Sequence, residues 1–106
     1  MKITVITGTQ PRHLSLIETL AGIADEVMAV QECKTVFPGR VKGIFPESPV
    51  METYFSRVNG AEEAVFGPPR FGPASVRQLI LQRGDLNLVA PEVLGRAPEA
   101  DLIVVF

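Results

Sequence analysis

The residues with the clearest chemical potential stand in one short stretch, Gly8-Thr9-Gln10-Pro11-Arg12-His13, between an apolar β-branched run and the start of a helical pattern. At such a junction the free N–H groups and the positive end of the helix dipole favour an anion. Arg12 would add a fork for a phosphate or carboxylate, and Thr9 a hydroxyl. The competing account gives Thr9 or Gln10 the role of a helix cap and leaves Arg12 solvated. His13 could act as an acid, a base or an anion contact, but has no partner pattern around it and reads as a surface residue. Asp85 and Asn87 follow a later strand and would line the same crevice if the sheet is parallel, although both residue types also excel in turns.

Other reactive groups read as structural. Glu32 stands where a ribose-binding acid would, but Gln10 and His13 occupy positions at which a dinucleotide fingerprint needs glycine, so NAD is disfavoured and Glu32 reads as a strand-end residue. Cys33 beside Lys34 reads as a small packed hydrophobe. Glu62 and Glu63 are adjacent, point different ways on a helix and read as a solvated face.

These residues must be positioned by few elements, because 106 residues suffice for one small domain. Lys2 to Thr7 is a strand, and Pro11 opens a helix to about Ile23 with Leu14, Ile17, Leu20, Ala21 and Ala24 at helical spacing. Val27 to Val30 is a second strand of the fully covered, parallel type. The stretch 34–74 holds six of nine prolines and five of nine glycines and reads as an insertion. It carries one helix, capped by Ser48, opened by Pro49 and stopped at Gly67, with Met51, Tyr54, Phe55, Val58, Ala61 and Val65 as an apolar stripe. Asn59-Gly60 would kink or split this helix. Gly67 to Pro73 should be a surface turn carrying Arg70 and Phe71. Ser75 to Arg83 permits helix or strand, and topology decides for strand; a short helix, Pro91 to Ala97, then leads to a last buried-type strand, Ala100 to Phe106. The expected architecture is α/β: a Rossmann-like, three-layer, open parallel sheet in the order 3-2-1-4.

Composition narrows the function classes. Net charge is −2 with basic residues scattered singly, which disfavours nucleic acid. A single cysteine and a single histidine leave no zinc-type set, and a reduced, cytoplasmic setting fits. No apolar run approaches about 18 residues, which disfavours a membrane span.

The opening I-T-V-I-T-G-T-Q-P-R-H-L-S-L-I-E-T-L resembles the first strand, turn and helix of the formyltransferases that use 10-formyltetrahydrofolate. Q-R-G-D-L-N at Gln82 to Asn87, P-E-V-L at Pro91 to Leu94 and A-D-L-I-V-V-F at Ala100 to Phe106 are similar to the segment leading into that family's active half. The resemblance implies formyl transfer from 10-formyltetrahydrofolate to an amine acceptor in a complete member. It implies that the turn at Gly8 to Arg12 meets a phosphorylated small-molecule acceptor, and that the catalytic Asn, His and Asp lie beyond the strand resembling Ala100 to Phe106. On this reading the chain is an incomplete, inactive front portion with no catalytic residue or cofactor of its own. The alternatives are a small phospho-ligand-binding module, or an assembly module that forms a homo-oligomer through the strand Asp101 to Phe106.

Overall fold

The computed structural model describes residues 1–33, 48–88 and 100–106. Four strands, β1 (Lys2–Thr7), β2 (Glu26–Cys33), β3 (Arg77–Gln82) and β4 (Leu102–Val105), form one sheet in the order β3-β2-β1-β4. All three pairings are parallel, so the four carboxyl ends lie at one edge. Helix α1 (Pro11–Ile23) connects β1 to β2, and α2 (Pro49–Phe66) lies between β2 and β3. The α/β class and the 3-2-1-4 order therefore stand as the sequence implies. The helix expected at Pro91 to Ala97 lies outside the described residues.

The core forms where alternate strand residues meet one helix stripe. Ile3 and Val5 of β1, Val27 and Ala29 of β2, and Val76 just before β3 pack with Ile17 of α1, flanked by Leu16, Leu20, Ala21, Ala24 and Val104. Period-2 alternation places the strand residues on one sheet face, and the 3.6-residue period of α1 covers them. The chain ends are tied to the sheet: the Asp101 N–H donates to the Lys2 carbonyl, the Asp101 carboxylate accepts from the Lys2 N–H, and the Phe106 N–H donates to the Ile6 carbonyl at 3.0 Å.

Several expectations need correction. β2 runs on to Cys33, so Glu32 is inside the strand rather than just after it. Helix α2 is unbroken through Asn59-Gly60, because a single interior glycine costs only about 1 kcal/mol and both ends are well capped. At its start the Ser48 hydroxyl accepts from the Met51 N–H at 3.3 Å, and at its end Gly67 adopts φ +87°, donating its N–H to Glu63 O. The apolar stripe of α2 is not core: Tyr54, Phe55, Val58 and Val65 are exposed, and no residue of the helix is buried. The reason is that α2 rests on α1 rather than on the sheet.

Ion pairs tie the two helices. Arg70 grips the Glu18 carboxylate with both prongs, Nε to Oε1 at 3.0 Å and Nη2 to Oε2 at 2.8 Å, while its Nη1 donates to the carbonyls of Phe66 and Pro68. One guanidinium thus closes the end of α2 and attaches it to α1, which is more than the surface turn expected of this segment.

Candidate functional site

The carboxyl edge of the sheet holds an open crevice of about 390 Å³. Its walls come from every strand end: Ile6 and Thr7 at the end of β1 with Gly8 just after it, Glu32 near the end of β2, Arg83 and Leu86 after β3, and Val105 and Phe106 at the end of β4. This is where ligands bind in open α/β sheets, because the connections diverge and leave a gap over the strand ends. The wall is mostly apolar, with one anion and one cation on its rim. Among the described residues neither the Glu32 carboxylate nor the Arg83 guanidinium makes an ion pair. The Thr7 hydroxyl is buried and has no hydrogen-bond partner among the described residues.

The turn residues divide. Gly8 lines the crevice, and no larger residue fits easily there: a Cβ would come within 2.9 Å of the His13 Cε1. His13 is not a surface residue but 7% exposed. Its Nδ1 accepts the Gln10 N–H at 3.0 Å while the Gln10 backbone carbonyl accepts the His13 N–H at 2.9 Å, which closes the start of α1 from both sides. The ring also stands edge-to-face on Phe106, with centroids 5.2 Å apart and planes at 74°. Burial pushes the His13 pKa below 6.5, the positive charge of Arg12 adds to this, and Glu62 opposes it. An imidazole that accepts at Nδ1 is neutral and carries its proton on Nε2.

Arg12 does not face the crevice with a free fork. Its Nη1 donates to Glu62 Oε1 at 3.0 Å, and its backbone N–H reaches the same oxygen at 3.2 Å. The N–H groups of His13 and Leu14 turn to the Gln10 carbonyl. The anion position at the head of α1 is therefore taken by the protein's own Glu62, whose side chain is 8% exposed, not part of a solvated face. A carboxylate from α2 supplies what one of the two sequence readings of this turn gave to a ligand, and Arg12 is ion-paired, not merely solvated as the other had it. Thr9 and Gln10 sit half-buried in the turn, Gln10 as the cap.

Gln31 holds this turn from below. It is fully buried; its Nε2 donates to the Gly8 carbonyl at 3.2 Å and its Oε1 accepts from Gln78 Nε2 at 3.0 Å. The turn after β1 is thereby linked through β2 to β3.

Asp85 and Asn87 are corrected as well. They do not line the crevice and do not lie in an open loop: residues 85–88 form a helical turn after Gly84, which adopts φ +92°. Asp85 Oδ2 accepts the Gln82 N–H at 3.2 Å, and the Asn87 N–H donates to Gly84 O. Both are turn builders. Leu86, between them, is the residue that reaches the crevice. Sequence reasoning missed Arg83, Leu86 and Phe106 and discounted Glu32. A usable signal existed: in a parallel sheet the residues at and just beyond each strand end share one edge, which selects Gly8, Glu32, Arg83 and Phe106 together.

Among the described residues no helix is long and apolar enough to cross a membrane. No family model matches the chain, and no curated protein or solved structure matches it significantly.

Proposed function

We propose that this chain is the ligand-holding front portion of a formyltransferase-like protein, binding a small acceptor in the carboxyl-edge crevice without itself transferring the formyl group. One observation carries the reading. Three of the four segments that resemble the family, around Gly8, from Gln82 to Asn87 and from Ala100 to Phe106, are separate in sequence yet contribute Gly8, Arg83, Leu86, Val105 and Phe106 to a single crevice, and the fourth, Pro91 to Leu94, lies outside the described residues. Arg83 would pair with an anionic group of the acceptor, Glu32 would take hydroxyl or amine donors, and Phe106 with Leu86 would cover its apolar body. Transfer needs a general base and oxyanion donors poised together. The chain's single histidine has its accepting nitrogen engaged by the Gln10 N–H and does not supply that base.

Calorimetry with inorganic phosphate and sugar nucleotides tests the binding half. Saturable binding of at least one probe is expected, weakened about tenfold in Arg83→Ala, the equivalent of one charge-assisted hydrogen bond. Absence of binding by all probes would overturn it. Incubation with 10-formyltetrahydrofolate and a panel of amines tests the second half, with no turnover above buffer expected.

A second reading, self-assembly, is favoured by β4. Among the described residues this strand pairs with β1 on one side only, and it exposes Leu102, Ile103 and, at 74%, Val105. Apolar edges of this kind invite pairing with another chain. Sedimentation should show concentration-dependent association that Val105→Lys abolishes; a strict monomer at high concentration rejects this reading.

A further inference from the structure

We propose that His13 is a protonation switch that couples the head of α1 to the β4 wall of the crevice. The geometry places one imidazole at a three-way junction. Its Nδ1 accepts the Gln10 N–H at 3.0 Å, its Cε1 lies against Gly8, and its ring meets Phe106 edge-to-face. Gly8 and Phe106 both line the crevice. The neutral ring is thus the shared support of two of its walls.

Adding a proton at Nδ1 puts one N–H donor against another, that of Gln10, so the contact cannot survive in its present form. The ring would also carry charge at a buried position. The charged groups that bear on it are Arg12 from its own helix, which repels an imidazolium, and Glu62 from α2, which attracts one; the side chains of Gly8, in the turn, and Phe106, just after β4, hold no titratable group. Protonation therefore drives the ring out from between Gly8 and Phe106 towards the Glu62 side. The lowered pKa of His13 fixes the sign: the neutral ring's stabilisation is complete above pH 6.5 and is lost as pH falls from there through the lower folded-state value.

The consequence for ligand binding rests on the proposed function, but the switch itself can be read without any ligand. In NMR titrations of the intact chain, the Gly8, Gln10 and Val105 amides and the Phe106 ring should shift together with the His13 Cε1–H, at one midpoint below 6.5. In His13→Gln, where glutamine can still accept the Gln10 N–H, the shared titration should vanish. In Phe106→Leu, Gly8 and Gln10 should still follow His13, while the Val105 amide should no longer do so. Static Gly8 and Gln10 signals while His13 titrates would overturn the proposal, as would the same titration persisting in His13→Gln. If His13→Gln does not fold, Phe106→Leu decides: Gly8 and Gln10 static there would count against the switch. Failure of every ligand to bind would leave these readouts untouched and would bear on the crevice alone.

Discussion

Ile17→Ala is expected to lower folding stability by about 2–5 kcal/mol, with a corresponding fall in urea midpoint. Ile17 is fully buried and is the α1 residue at the centre of the packed cluster with Ile3, Val5, Val27, Ala29 and Val76. Removing its branched side chain forfeits the transfer free energy and leaves a cavity between helix and sheet that neighbours on rigid strands cannot fill. For a domain whose total stability is about 5–15 kcal/mol, the loss is a large fraction of the whole. Ile23, on the same helix but 70% exposed, is the matched control, and Ile23→Ala should stay within about 0.5 kcal/mol of wild type. Equal effects of the two substitutions would mean that α1 is not held by the face described. The result matters for the crevice because α1 presents Pro11, Arg12 and His13 at its head, and the helix keeps that head in place only while Ile17 is seated.

The sheet was legible because its signals are local and redundant. The β-branched run from Ile3 to Thr7, Pro11 at a helix start and the apolar runs at Val27 and Leu102 each announce an element, and parallel pairing follows from apolar strands with crossover-length connections. Even the capping of α2 by Ser48 and Gly67 could be read.

The site was less legible because its charges are settled by partners distant in sequence. Nothing near Arg12 says that Glu62, fifty positions on, takes the anion place at the head of α1. Nothing near His13 says that Phe106 will press on its ring, and a histidine three residues after Gln10 is not the usual capping-box residue, so burial of His13 went unread. The exposure of Tyr54 and Phe55 in α2 escaped for a related reason. Helical periodicity shows that an apolar face exists, but only tertiary packing decides whether anything covers it.

Gln31→Leu is expected to cost about 2–4 kcal/mol despite adding an apolar side chain of similar size to a buried site. Gln31 is one of the few fully buried polar residues, and both ends of its amide are used: the NH₂ on the Gly8 carbonyl, the oxygen on the Gln78 amide. Leucine removes the partner of that carbonyl and of that amide, both part-buried, and a polar group left unpaired away from water costs about 1–3 kcal/mol. The gain from the apolar replacement offsets only part of this. A double-mutant cycle separates the hydrogen-bond chain from generic packing. Gln78→Leu made in the Gln31→Leu background should cost less than Gln78→Leu alone, by about 0.5–3 kcal/mol, because the partner it strands is already gone. Strict additivity would show that the Gln31–Gln78 bond carries no stability. Amide hydrogen exchange gives the link to the site: Gln31→Leu should reduce protection through the head of α1, where Gln10 accepts from His13 and Leu14, while leaving α2 between Thr53 and Glu63 unchanged. That pattern follows from a crevice floor held from within β2, where Gln31 links the Gly8 carbonyl after β1 to Gln78 of β3.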